Sequence, residues 1–324
     1  MTLSSETGVY AYSAVLMGSP ILLKLFEHNE ALAGRVLRLI KHQENLLTVN
    51  RAQSEVMAIN HAAGRHPVVV SPPVYQLIRR ASEVSRLPDS SFNFAIGPLV
   101  KRWKIGFQGH TVPPESELKT LLALTDPHQV VLDDAAHSVF LQQAGMEIDL
   151  GAIAKGYIAD VVRDYLHQQH VDCALINLGG NVQTLGHPGA QGWGIGLKKP
   201  FAQPDTLIGV IDVTHQSVVT SGIYERYFEH DGRCYHHILD PRTGTPLDNE
   251  LLSVTIISAD SIDGDIWTTL LYGMGVEKSL SVLRDTPDIE AIFVTRDHQV
   301  ICSSQRAYRF TLLDDSYCLT DNTA

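Results

Sequence analysis

The sequence predicts an α+β protein with a mixed or antiparallel β-sheet core and packed helices, and three observations carry that reading. Short apolar segments at 174–176, 193–197, 208–213, 218–220, 254–257 and 291–294 alternate with Gly- and Pro-containing turns. Elsewhere, apolar residues recur at helical spacing. The 324 residues are 44% hydrophobic and 19% charged, with 24 Gly and 15 Pro, a balance far from disordered or collagen-like chains and sufficient for a sizeable core.

The elements follow in order. Residues 14–26 are apolar and predict a strand; over 31–45, Leu32, Val36, Leu39 and Ile40 mark a helix. Residues 53–60 end in polar positions before Val68-Val69-Val70 and Pro72-Pro73, after which Val74, Leu77, Ile78 and Ala81 mark a second amphipathic helix. A third follows Pro113-Pro114, with Glu115 and Glu117 at the positive end of its dipole. Short strands are expected at 130–132 and 139–141. Ile153, Tyr157, Ile158, Val161, Val162, Tyr165 and Leu166 trace one face of a helix over 152–166, and 265–274 reads as one more. With no internal repeat, low-complexity tract or linker, the expectation is one domain over 1–313, open to division into two interleaved lobes, and a polar, mobile tail over 314–324.

A net charge of −11 disfavours a non-specific electrostatic partnership with nucleic acid or anionic lipid. Cys173, Cys234, Cys302 and Cys318 are far apart and form no C-x-x-C pair, which fits a reducing compartment. The first positive charge is Lys24, the preceding apolar stretch is broken by Gly18, Ser19 and Pro20, and no run approaches the roughly 18 apolar residues of a membrane span. The expected location is cytoplasmic.

The Walker phosphate loop, the H-E-x-x-H zinc helix, the G-x-S-x-G elbow and the G-x-G-x-x-G turn are all absent. Dense local constellations remain: Gly97-Pro98-Leu99-Val100 with Trp103; Asp149-Leu150-Gly151-Ala152-Ile153-Ala154-Lys155-Gly156-Tyr157; and Asn177-Leu178-Gly179-Gly180-Asn181. Thr220-Ser221-Gly222 with Tyr224 and Arg226, His236-His237-Ile238-Leu239-Asp240-Pro241-Arg242-Thr243-Gly244, and Asp265 with Thr268 and Thr269 complete the set. The first and third of these read as turns and packing.

Asp265 and Thr269, four apart in a helix, would share one face and offer hard oxygen ligands suited to Mg²⁺; a helix cap is the competing reading of Asp265. An imidazole titrates near neutrality and can accept a hydroxyl proton, and two adjacent histidines in extended backbone point to opposite faces, so one of His236 and His237 would serve. Asp149 and Lys155 bracket a glycine-containing helix entry suited to an anionic or nucleotide ligand, though Lys155 alone could be a solvated charge. Asp240 to Gly244 reads as a turn, with Arg242 a candidate phosphate or partner contact.

In this order the motifs resemble those of the ApbE family, the FAD:protein FMN transferases, from about Met17 to about Val294. The resemblance implies an ApbE-like, T-fold-related architecture and a magnesium-dependent enzyme that cleaves FAD, releases AMP and attaches FMN by a phosphoester bond to a threonine or serine of a target flavoprotein. It selects His237 as base and adds Ala152, through its carbonyl, and Thr268 to Asp265 and Thr269 at the metal. It places Asp149 and Lys155 on FAD, together with Met17, Asn50, Ser91, Phe92, Asn93 and Leu239. The chain departs from the usual pattern at Asn50, where many relatives carry Tyr, at Asn93, where Asp is usual, and at Ile223, where Asp commonly follows Thr-Ser-Gly. These changes bear on FAD affinity, since a stacking ring and a charge are lost. An FAD pyrophosphatase giving FMN and AMP, and a non-catalytic FAD-binding or delivery protein, are the alternatives; a cytoplasmic FMN-carrying reductase is an expected partner.

Overall fold

The structure, a computed structural model, describes residues 8–189 and 192–321. The chain opens with β1 (Tyr10–Leu16), β2 (Ser19–Leu25), α1 (Glu30–Leu47) and α2 (Glu55–His61). Next come β3 (Val68–Val69), α3 (Pro72–Ser85), α4 (Gly97–Trp103), α5 (Glu115–Leu122), β4 (Val130–Asp133) and β5 (Ser138–Leu141). Helix α6 (Ala154–Gln168) precedes β6 (Ala174–Leu178), β7 (Asn181–Leu185), β8 (Trp193–Lys198), β9 (Leu207–Val213) and β10 (Ser217–Gly222). Then follow β11 (Tyr227–His230), β12 (Arg233–His236), β13 (Leu251–Ser258), α7 (Ser261–Arg284), β14 (Glu290–Thr295), β15 (Gln299–Cys302), β16 (Tyr308–Leu312) and β17 (Cys318–Asp321). The fold class is α+β, with sheets that are mostly antiparallel.

The chain divides into two compact units. Unit 1 comprises the chain up to Glu44, Lys155–Gly222 and the chain from Glu250. It carries a nine-stranded sheet in the order β1-β2-β6-β7-β10-β13-β14-β15-β17, in which only the β15–β17 pair is parallel. Every residue of β13 and β14 is buried, which explains why 254–257 and 291–294 read as continuous apolar runs instead of alternating ones. Strands β16, β9 and β8 form a separate antiparallel sheet. The strand expected over 14–26 is a hairpin: Met17 and Gly18 adopt φ of 52° and 65°, and this two-residue turn pairs Leu16 with Ser19. The segment expected as a tail includes β17, whose pairing with β15 supplies the order that its polar composition hid; residues 322–324 lie outside the described residues.

Helix α7 is longer than the expected 265–274. It continues past Gly275, where φ 75° and ψ 177° break the helical path, and the Glu250 carboxylate accepts the Val276 N–H at 2.7 Å. Its start is fixed from α6. A Cβ on Gly156 would lie 2.3 Å from the Ser261 carbonyl oxygen and 2.7 Å from Ile262 Cα, so only glycine permits this approach. One turn along α6, the Asp160 carboxylate accepts the Ser261 and Ile262 N–H groups at 2.7 and 2.9 Å, capping α7 from outside. Arg163 braces the same corner through Asp160, Asp260 and the Ala259 carbonyl.

Unit 2 comprises Asn45–Ala154 and Ile223–Asn249. It holds the antiparallel β3-β5-β4 sheet, the β11–β12 hairpin and a core of Leu99, Trp103, Ile105, Leu118, Phe228 and Leu239. The expected Gly-Pro turn at Gly97 is instead helix α4, because Pro98 falls in the first turn, where no intrahelical N–H is needed. Trp103 donates its indole N–H to the Gly244 carbonyl at 2.7 Å and stacks on Tyr235, tying α4 to the hairpin and the turn that follows it. Among the described residues no helix is long and apolar enough to cross a membrane, and no disulfide links the four cysteines.

Gly156→Ala should destabilise the protein by about 1–3 kcal/mol through overpacking against α7. A lowered urea midpoint checks this, and an unchanged midpoint would show that α7 can yield.

Candidate functional site

In unit 1 the first cluster forms around Asp265. Its Oδ2 accepts the Gly156 N–H at 2.5 Å, and its Oδ1 accepts the Asn181 side-chain amide at 3.1 Å. Asn181 is itself oriented, because its Oδ1 accepts the Ser261 hydroxyl at 2.6 Å and Ser261 accepts the Ser217 hydroxyl at 2.9 Å. Asn181, Ser217 and Ser261 are all buried. The amide can therefore present only its NH₂ to the carboxylate. Burial pushes the Asp265 carboxyl up to about 7; the Gly156 and Asn181 hydrogen bonds and the Lys155 charge act against that rise.

Each Asp265 oxygen uses one lone pair in these bonds and retains another. The Thr268 and Thr269 hydroxyls both donate to the Asp265 backbone carbonyl, at 3.0 and 3.4 Å. Thr268 is buried and also accepts the Ser221 hydroxyl at 3.0 Å, so its polar capacity is engaged within the protein; Thr269 is half-buried. A carboxylate and hydroxyls form a hard, all-oxygen donor set that fits Mg²⁺. Among the described residues no three His, Cys, Asp or Glu side chains converge, so a cation here would fill its shell with neutral oxygens, water or phosphate.

Lys155, on the first turn of α6, donates to the Ser19 hydroxyl at 3.1 Å. It also lies against the Asn177 to Asn181 turn, since a Cβ on Gly179 would be 3.2 Å from its Nζ. That turn is closed by the Gly180 N–H donating to Asn177 Oδ1 at 2.9 Å. Met17 occupies the tip of the β1–β2 hairpin, half-buried.

In unit 2 the two histidines diverge as alternation requires. His236 is buried, with Nε2 2.8 Å from the Leu247 carbonyl and Nδ1 accepting the Ile238 N–H at 3.3 Å, so both nitrogens serve the fold. His237 is half-buried, and the Arg226 carbonyl lies 3.2 Å from both its backbone N–H and its Nδ1. A carbonyl partner requires the proton on Nδ1, which makes Nε2 the basic nitrogen of the neutral ring.

Asp149 accepts the Gly151 N–H at 2.7 Å, and its own N–H bonds the Phe94 carbonyl at 2.8 Å. Burial raises its pKa against the pull of the Gly151 bond and the Arg226 charge. Ala152 follows, exposed. Ser91 and Phe92 are buried, and Leu239 belongs to the core cluster, where packing already employs it. Asn93 donates to the Thr125 carbonyl at 2.8 Å and accepts the Ala95 N–H at 2.8 Å. The carbonyl contact requires an amide, which accounts for Asn at this position. Asn50 is exposed after α1, its N–H held by Thr48 at 3.1 Å. Ile223 is buried. Arg242 folds back on Asp240 with contacts of 3.0 and 3.2 Å, so the candidate phosphate contact is engaged in its own turn.

Lys155, Asp265, Thr268 and Thr269 thus lie together in unit 1, whereas Asp149, His237, Ser91, Phe92 and Asn93 fall within unit 2 with separate partners. Sequence reasoning missed Asn181, Ser221, Ser261 and Gly156. The motifs around Asn181, Ser221 and Gly156 were visible, but their partners lie far away in the chain, Asn181 and Asp265 being 84 positions apart.

The model of the ApbE family matches residues 17–293. A Klebsiella pneumoniae (strain 342) protein named FAD:protein FMN transferase is 65% identical over 320 residues, covering 99% of this chain and 100% of its own length. One of the same name from Treponema pallidum (strain Nichols) is 40% identical over 298 residues, covering 88% and 82%. The crystal structure of the ApbE protein from Thermotoga maritima superposes with a TM-score of 0.78 at 31% identity, over 89% of this chain and 94% of that one.

Asp160 yields a pH prediction. Burial, outweighing the Ser261 and Ile262 bonds, pushes its carboxyl from 3.8 to about 6, so the native state holds the proton more tightly than the unfolded chain does. Its contribution to stability is complete below about pH 3.8 and is lost as pH rises through about 6. Measured against the non-titrating Asp160→Asn variant, wild-type stability should fall by about 2 kcal/mol between about pH 4 and about pH 7. Urea unfolding at both pH values checks this; a difference independent of pH would contradict it.

Proposed function

The chain belongs to the ApbE family, and on that footing we propose that it is a FAD:protein FMN transferase, which moves FMN from FAD to a threonine or serine hydroxyl of a partner flavoprotein and releases AMP. The observation that carries the reading is the Asp265 carboxylate held on both oxygens by fixed donors, with Thr269 one turn away. Phosphoryl transfer is mostly positioning and charge neutralisation, and this arrangement serves both. The proposed magnesium ligands are Asp265 and Thr269, with Thr268 and the Ala152 carbonyl added by the family resemblance; the ion, when bound, neutralises charge on the pyrophosphate oxygens.

The chain's own residues account for the remaining steps. Asp149 and Lys155, with Met17, Asn50, Ser91, Phe92, Asn93 and Leu239, are the proposed FAD-binding set. His237 Nε2 takes the proton of the acceptor hydroxyl as its oxygen bonds to the FMN phosphorus. The phosphoanhydride bond to AMP breaks, AMP leaves with the electron pair, and the imidazolium returns the proton to solvent or to AMP. FAD and a protein hydroxyl become a protein–FMN phosphoester and AMP, and nothing is oxidised or reduced. A cytoplasmic FMN-carrying reductase is the proposed acceptor class.

The test incubates the protein with FAD, Mg²⁺ and an FMN-binding domain carrying an acceptor threonine, then measures acceptor mass and AMP. A mass gain of one FMN phosphoester with AMP is expected, abolished by EDTA. His237→Ala should slow transfer by about 10²–10⁴-fold while leaving FAD binding intact, and Asp265→Ala should weaken productive pyrophosphate engagement and abolish Mg²⁺-supported transfer. AMP with an unchanged acceptor would make the chain a pyrophosphatase, and FAD binding without either product would make it a carrier.

A further inference from the structure

Arg226 connects the base to an exposed aromatic ring. Its backbone carbonyl orients His237, while its side chain runs against Gly106, where a Cβ would lie 2.5 to 2.8 Å from Arg226 Cδ, Cγ and Cβ. Its guanidinium then sits 5.9 Å from the centre of the Phe107 ring. Lys104 and Gly106 adopt φ of 49° and 84°, and the Phe107 N–H bonds the Lys104 carbonyl at 3.0 Å. This tight turn holds Phe107 61% exposed, whereas the neighbouring Ile105 is buried.

An outward-held phenyl ring gains little in water, but aromatic and Arg side chains dominate the energetics of protein interfaces. Nucleotide rings are bound in enclosing pockets, and Phe107 stands too exposed to line one. A protein-borne hydroxyl, in contrast, can reach His237 only if the surface beside His237 meets the acceptor's surface. Lys104 and Arg226 are both exposed at this turn; the exposed Glu225 stands beside Arg226, whose charge also acts on the buried Asp149 carboxyl, and the guanidinium offers a partner's carboxylate a local contact. Resting on the transferase reading above, we infer that the Phe107–Arg226 pair is the docking contact for the acceptor protein, fitting an apolar surface with flanking carboxylates beside the acceptor hydroxyl.

The test compares steady-state FMN transfer to a whole acceptor domain and to a short synthetic peptide spanning its acceptor threonine. Phe107→Ala should raise the KM for the domain about tenfold with kcat within about twofold of wild type. Transfer to the peptide and FAD affinity should be unchanged, and Phe107→Tyr should restore the domain KM. Wild-type transfer combined with an unchanged domain KM in Phe107→Ala would overturn the docking contact alone, as would an equal loss on domain and peptide. A wild-type protein that transfers FMN to neither acceptor would remove the transferase reading and this surface with it.

Discussion

The approach of α6 to α7 at Gly156 is the constraint on which the unit 1 site depends. With no Cβ in the way, the Ser261 carbonyl and Ile262 come close enough for the Gly156 N–H to reach Asp265 and for Asp160 to cap the first turn of α7. The same docking sets Ser261 against Asn181, and Asn181 against the second oxygen of Asp265. A desolvated carboxylate is costly when unpaired, so the donors compensate for its burial while fixing its orientation. The stability of this corner and the orientation of the Asp265 carboxylate are therefore set by one contact.

Unit 2 solves a different problem, that of holding the proposed base, His237, in an irregular segment. The Trp103 indole on the Gly244 carbonyl and the stacking of Trp103, Tyr235 and Phe228 anchor the hairpin from beneath. His236 completes that anchoring by bonding backbone on both nitrogens. The Arg226 carbonyl then selects the tautomer of His237. Two adjacent identical side chains acquire different surroundings, His236 being buried and His237 half-buried.

Local rules made much of this legible. Spacing of four placed Asp265 and Thr269 on one helical face, and extended backbone separated His236 from His237. Where partners are distant, the sequence was silent. Nothing near Asn181 announces Asp265, and nothing near Ser221 announces Thr268, because those contacts exist only once β7, β10 and α7 have packed. Composition also misled where context overrides it: Met17-Gly18 interrupts an apolar stretch as a hairpin turn, Pro98 begins a helix, and the polar end of the chain pairs as β17. Asn93 becomes intelligible only beside the Thr125 carbonyl, which accepts its amide.

Asn181 and Gly156 hold the Asp265 carboxylate in the orientation proposed to receive a hard cation. Mn²⁺, as a spectroscopic stand-in for Mg²⁺, can be titrated by electron paramagnetic resonance into the FAD-loaded protein and its Asn181→Leu variant, which keeps the branched shape and deletes the amide. Loss of a hydrogen bond to a metal ligand should weaken Mn²⁺ affinity by about 10–100-fold in a variant that remains folded. Equal affinity in the two proteins would contradict the account.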